Sequence, residues 1–201
     1  MDTLSPTLFV TPRLAIRELC EGDFEAFFAM VSSGVNTAYL PFGPIDEERA
    51  EAFIARAMAD RLTDERKAYR LGVELKEDGS LIGVITLVID PELPVGQAGY
   101  IVSADRWRQG YATEALSGLV RFAFLGPELH RVFAECDERN AASVRVLEKA
   151  GFRREGHFIK ARRTERNGRK GWASVYHYAM LRKEFLMSLS DGSYSAYGDI
   201  D

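Results

Sequence analysis

The chain has 201 residues, 46% of them hydrophobic and 28% charged, enough for one domain with a sizeable core and too short for two ordinary ones. Twenty-six Lys and Arg against 30 Asp and Glu give a net charge of −4, without the basic excess of a general polyanion binder, so direct nucleic-acid binding is not expected. No apolar run nears the roughly 18 residues of a membrane helix, the N-terminus lacks the features of a signal peptide, and Cys20 and Cys136 suggest neither a disulfide framework nor a metal site. A cytoplasmic, metal-free globular protein is the expectation.

Residues 1–12, with Pro6 and Pro12, read as an irregular lead-in, followed by a strand over 14–17. Gly22-Asp23 precedes Phe24, Phe27, Phe28 and Val31, apolar at helical spacing; a loop with Pro41, Gly43 and Pro44 follows. Asp46 is an N-cap for a helix with Ala50, Phe53, Ile54, Ala57 and Met58 on one face. Strands are predicted over 69–75 and 81–89, joined by a turn at Glu77-Asp78-Gly79, and over 99–102. A polar connection over 103–110 opens a helix that turns Ala112, Ala115, Leu116, Leu119, Phe122 and Ala123 inward. A strand over 131–136, a helix over 141–149 stopped by Gly151, and strands over 152–161 and 174–181 around a basic loop at 162–171 complete the domain. The domain is set at residues 1–186, with 187–201 as a flexible tail. The order is that of an α+β protein with one mixed sheet of about seven strands and about four helices.

The stretch richest in chemistry is Arg106-Trp107-Arg108-Gln109-Gly110-Tyr111-Ala112-Thr113-Glu114-Ala115, at a strand-to-helix junction. The first N–H groups of a helix lack partners and, with the positive end of the macrodipole, attract an anion such as a phosphate. An ordinary loop and helix start fits the same residues. The stretch is neither a Walker A sequence nor a G-x-G-x-x-G motif, which disfavours nucleotide hydrolysis and dinucleotide binding. His130, His157 and His177 have no metal-ligand spacing.

This loop resembles the coenzyme A pyrophosphate loop of the GNAT N-acetyltransferases, Gln/Arg-x-x-Gly-x-Gly/Ala, and most resembles that of the RimJ/RimL-type branch, with Trp107 where many relatives carry Gln or Arg. A second block, Asn140-Ala141-Ala142-Ser143-Val144-Arg145-Val146-Leu147-Glu148-Lys149-Ala150-Gly151-Phe152, resembles the branch's N-x-x-S-x-x-v-l-E-k-x-G-F signature. T-P-R-L at 11–14 and Tyr178-Ala179-Met180-Leu181 also match, so the resemblance covers residues 9–185.

The resemblance implies a GNAT-like fold with a splay between the fourth and fifth strands, acetyl-coenzyme A as acetyl donor, no metal, and a primary amine of a protein N-terminus or small molecule as acceptor. It places the pantetheine arm on the backbone of Ile101 and Val102, and the pyrophosphate on the amides of Arg108, Gln109, Gly110, Tyr111, Ala112 and Thr113. Asn140 would touch the arm as well as cap its helix. Many relatives carry a tyrosine acid seven residues after the Asn; Leu147 stands there, and Ser143 is implied to face the coenzyme sulfur instead. Glu135, five residues before Asn140, occupies the place of a general base; its apolar neighbours Val132 and Phe133 would desolvate it, which suits a proton acceptor. Glu165 and Glu114 are weaker candidates, Glu114 being explained by the helix dipole. Ser174 stands where an Asp is common. The basic residues of 153–170 fit a solvated loop or an attraction for an acidic acceptor. Dimers are common among such proteins, so a homodimer is open. A catalytically silent acyl-coenzyme A-binding or scaffold domain is the alternative.

Overall fold

Runs rich in Val, Ile, Leu and aromatic residues become the strands of one sheet. A computed structural model of the protein describes residues 6–166 and 168–190. Its strands are β1 (Thr7–Val10), β2 (Leu14–Glu18), β3 (Ala68–Leu75), β4 (Leu81–Ile89), β5 (Val95–Val102), β6 (Arg131–Asp137), β7 (Arg153–Arg166) and β8 (Arg169–Leu181). They lie in the order β1-β2-β3-β4-β5-β6-β8-β7. Every neighbouring pair is antiparallel except β5 and β6, which run parallel. The helices are α1 (Phe24–Val31), α2 (Glu47–Asp60), α3 (Tyr111–Leu125), α4 (Ala141–Lys149) and α5 (Arg182–Ser190). The α+β domain on a mixed sheet is therefore present, with eight strands and five helices.

Each face of the sheet carries its own core. α3, α4 and α5 cover one face, where Leu116, Leu119, Val120 and Phe124 of α3 meet Leu14, Ile16, Leu71, Ile85 and Leu87 of the sheet. Full burial of each such side chain stabilises by about 1.5–3 kcal/mol, so α3 is the keystone of this layer. α1 and α2 cover the other face, packing Phe27, Met30, Ile54 and Ala57 against Leu19 and Val84. Asp46 caps α2 as expected, its Oδ1 accepting the Arg49 N–H at 3.0 Å.

Three segments depart from the sequence reading. Part of the lead-in is strand β1, which lies against α3 because Gly118 has no side chain: a Cβ there would stand 2.8 Å from the Phe9 ring. The basic loop expected at 162–171 is mostly the far end of the β7–β8 hairpin, with Arg162, Arg163 and Thr164 paired to Ala173, Trp172 and Gly171. Arg162 and Arg163 face Ala173 and Trp172 across the strands, and Glu165 faces Lys170, pairings that a charge count does not reveal. The expected tail at 187–201 begins inside α5, held by Phe185, 1% exposed, against Phe124; residues 191–201 lie outside the described ones.

The parallel pair supplies the opening that positions the site. β5 pairs with β4 along its whole length, from Gly96 opposite Ile89 to Val102 opposite Gly83. With β6 it pairs only through Val95, Gly96 and Gln97, opposite Arg131, Val132 and Phe133. Beyond that point the strands diverge, which is the expected splay, here between β5 and β6.

Candidate active site

Register decides which backbone groups of β5 face the gap. The Ser103 N–H donates to the Ile82 carbonyl at 2.9 Å, and at the other end the Asp90 N–H donates to Val95 at 2.8 Å. In an antiparallel ladder such bonds alternate. Ile101, two residues before Ser103, therefore exchanges its backbone bonds with Val84 on β4, while the N–H and C=O of Tyr100 and Val102 point toward β6. This corrects one expectation: the Ile101 backbone is committed to the sheet, and Tyr100 joins Val102 as the residue offering backbone to the gap. The Val102 carbonyl also accepts the Trp107 indole N–H at 2.7 Å, which ties the loop to the strand end.

The loop then turns sharply into α3. Arg108 and Gly110 both have left-handed backbone, with φ of 63° and 80°. A side chain at Gly110 would be strained by that conformation, and its Cβ would stand 3.2 Å from Arg13 Nη2. The first helical bond runs from the Glu114 N–H to the Gly110 carbonyl, so the N–H groups of Tyr111, Ala112 and Thr113 precede the ladder, as donors of the kind an anion uses at a helix start.

Glu114 does more than complement the helix dipole. It is fully buried, and its carboxylate accepts from Thr11 Oγ1 (2.6 Å), the Arg13 N–H (2.8 Å) and Arg13 Nε (2.6 Å). Arg13 reaches on to the Gln109 carbonyl at 2.9 Å and lies over the Tyr111 ring. The T-P-R-L stretch thus acts as a clamp on the back of the loop. The sequence signal was present in Thr11, Arg13 and Glu114, but a separation of about 100 residues hides the pairing.

α4 begins where β6 ends. Asn140 caps it, Oδ1 accepting the Ser143 N–H at 3.0 Å. The Ser143 hydroxyl lies 2.6 Å from the Tyr100 phenol oxygen. Burial pushes the Tyr100 phenol well above its ordinary range, more than the Ser143 bond pulls it down, so it stays a neutral donor. Burial likewise pushes the nearby Cys136 thiol up to about 11, which leaves it protonated and unsuited to be a nucleophile.

Glu135 sits on the other face of the sheet. Along β6, Val132, Ala134 and Cys136 enter the α3/α4 core, so Arg131, Phe133 and Glu135 point the opposite way. The Glu135 side chain is 30% exposed, with Oε1 at 3.6 Å from His177 Nδ1, close but longer than a hydrogen bond. His177 stacks on Phe133, and its Nε2 lies 3.3 Å from Arg131 Nη2. Arg can only donate, which leaves the neutral ring's proton on Nδ1, facing Glu135. Neighbouring Asp137 is not a rival base: burial raises its pKa, but the bonds from Arg139 outweigh that and hold it below its ordinary value. Glu165 lies far along the hairpin against Pro41 and Gly43, and Ser174 Oγ accepts the Lys160 N–H. The loop of Arg108 to Thr113 opens α3, and Asn140 and Ser143 open α4, both helices on one side of the sheet, whereas Glu135 faces the other. Tyr100, Arg13 and His177 were missed as site residues. Among the described residues, no three His, Cys, Asp or Glu side chains converge as a metal would require.

Comparison with known proteins identifies the family and the fold. Residues 13–153 match the acetyltransferase (GNAT) domain family. The chain is 32% identical over 175 residues to the uncharacterized N-acetyltransferase YnaD of Bacillus subtilis, covering 87% of this chain and 97% of that protein. A GNAT-family acetyltransferase structure from Bacillus anthracis superposes with a TM-score of 0.75 at 29% identity, over 87% of this chain and 98% of the other. The structure of Mycobacterium smegmatis RimJ in complex with CoA-disulfide shares the fold, with a TM-score of 0.70 at 22% identity over 89% of each chain.

Proposed function

This chain belongs to the GNAT acetyltransferase family, and from that premise we propose that it moves the acetyl group of acetyl-coenzyme A to a primary amine by direct attack, in the manner of the RimJ/RimL-type branch. The acceptor is the amine of a protein N-terminus or a small molecule, and the reaction belongs to the cytoplasm. The observation that carries the reading is the gap between β5 and β6, with an anion-binding loop on one face and a carboxylate on the other. The RimJ structure holding a coenzyme A disulfide supports the choice of donor and of branch.

The residues present fit the coenzyme. Gly110 takes the left-handed backbone that turns the loop into α3, and the N–H groups of Arg108 to Thr113 offer charge and donors for a pyrophosphate. Backbone groups of Tyr100 and Val102 would run alongside a pantetheine arm as an adjacent strand does, and Asn140 would border it. When bound, the coenzyme supplies an activated thioester. Glu135 takes the proton released by the attacking nitrogen, directly or through one water, from the exposed face of the sheet. Ser143 presents its hydroxyl to the departing sulfur from the buried face. No acyl-enzyme step is invoked, because Cys136 is a protonated, buried thiol.

The test is thiol release from acetyl-coenzyme A with a panel of N-terminal peptides and polyamines, with products read by mass spectrometry. Acceptor-dependent release and a product heavier by one acetyl group are expected. Saturable coenzyme binding with no turnover on any amine would overturn the reading.

A further inference from the structure

Ser143 alone does not explain the buried side of the gap. Tyr100 lies on β5 three residues beyond the last one paired to β6, and Ser143 lies on the helix that follows β6. Their contact therefore bridges the two strands where the ladder between them has ended. A helix serine ordinarily turns its hydroxyl back onto the carbonyl one turn earlier. Here Oγ is 2.6 Å from the Tyr100 phenol oxygen instead, and the Ser143 N–H is already taken by Asn140. A serine hydroxyl has one hydrogen and two lone pairs. The phenol hydrogen has two acceptors within reach, this oxygen at 2.6 Å and the Ser143 carbonyl at 3.3 Å; taking the shorter bond, it fills one lone pair of the serine and leaves the serine hydrogen to point into the gap.

We propose that Tyr100 is a positioning residue that fixes the hydroxyl hydrogen of Ser143 toward the sulfur of coenzyme A, so that the leaving thiolate meets a preset donor; this rests on the acetyl-transfer reading above. In the step, the nitrogen–carbon bond forms, the carbon–sulfur bond breaks, and the electron pair leaves on sulfur. The proton lost by the amine goes to Glu135. Tyr100 and Ser143 keep their protons throughout and act by hydrogen bonding. A phenol that burial holds neutral is a poor acid toward a thiolate but a persistent donor, which fits this role.

The thiol of bound coenzyme A itself is the probe, and it requires neither an acceptor nor turnover. Its ionisation is followed by ultraviolet difference absorbance of the complex against protein alone. In the parent protein the bound thiol should ionise at lower pH than free coenzyme A. Tyr100→Phe and Ser143→Ala should each move it up by about one pH unit, the scale of one hydrogen bond to a charged group. Tyr100→Phe should add nothing in the Ser143→Ala background, since it acts through the serine. Site-specific fluorotyrosine at position 100 keeps the shape, strengthens the donor and should shift the thiol downward. Coenzyme bound with a thiol that neither Tyr100 replacement moves, or an equal Tyr100→Phe shift without Ser143, overturns this proposal alone. Failure of coenzyme A to bind the parent protein would instead overturn the acetyl-transfer reading, and this proposal with it.

Discussion

The two faces of the gap between β5 and β6 are built in different ways. On the buried face the loop entering α3 is fixed from behind by Glu114, fully buried and bonded to Thr11 and twice to Arg13, while Tyr100 and Ser143 close the opposite side. On the other face Glu135 is partly exposed, the His177 ring nitrogen lies 3.6 Å from its carboxylate, and the β7–β8 hairpin borders it with Phe158 half exposed. A donor common to many reactions needs a rigid cradle, whose preorganisation lowers the cost of binding. An acceptor that enters and leaves needs an open approach. The same sheet serves both because side chains alternate across it, sending neighbours of one strand to opposite tasks.

The sharpest way to break this division is at Glu135. Glu135→Gln keeps the shape and removes the proton acceptor, so kcat/KM should fall about a hundred-fold, the lower end of general-base effects, while the dissociation constant for acetyl-coenzyme A stays put. Loss of coenzyme affinity in this variant would show that the faces are not independent. If the amine arrives neutral and needs no base, the rate will be unchanged and its rising pH limb will track the amine across an acceptor series.

The converse change is Gly110→Val. Left-handed backbone costs about 1–2 kcal/mol for residues with a Cβ, more when branched, and the new side chain would crowd Arg13. Calorimetry should show coenzyme binding weakened by about thirty-fold, roughly 2 kcal/mol. Unchanged affinity in a folded protein would remove the loop from the site. Glu114→Gln tests the clamp behind it. Breaking a fully buried pair costs about 3–5 kcal/mol, but the Arg13 side chain is 29% exposed and an amide still accepts. A stability loss near 1.5 kcal/mol in urea unfolding, accompanied by weaker coenzyme binding, is the expected result.

How much of this was legible follows the same division. The α3 junction is written in consecutive residues, since Gly110 and the apolar spacing after it determine a turn and a helix start together. Asn140 and Ser143 are equally local, three residues apart in one cap. The clamp and the neighbours of Glu135 are not local: Thr11 meets Glu114 where α3 packs on the sheet, and Glu135 meets His177 through the β6–β8 pairing, neither of which any spacing encodes. Ile101 was misassigned because adjacent strand residues look alike in sequence, whereas register separates their backbone groups. The far end of the hairpin, 162–171, was read as a loop because its arginines and lysines suggest solvent, although edge strands tolerate such charges well.

The smallest expected effect separates the faces by pH. Glu155 on β7 accepts from Arg131 and Arg153, and the Arg131 bond above all holds its carboxyl down to about 2 from an ordinary 4.5. Its folded-state pKa is depressed, so the stabilisation is complete above the unfolded value and is lost as pH falls from about 4.5 toward 2. Cys136, on the buried face, has the opposite sign. Its thiol is raised from 9.0 to about 11 by burial, so its contribution is complete below about 9 and is lost as pH rises toward 11. Acid thus loosens the acceptor side and alkali the donor side. Because Glu155 and its arginines are partly exposed, the acid term should stay under about 1 kcal/mol, a melting shift of about 2–4 °C for a chain of this size. Glu155→Gln should melt that much lower than the parent at pH 7, by less than half as much at pH 3, and together with it only below about pH 2, where both forms carry an uncharged side chain. A gap that persists undiminished below about pH 2 would mean that Glu155 stabilises the hairpin by packing rather than by charge.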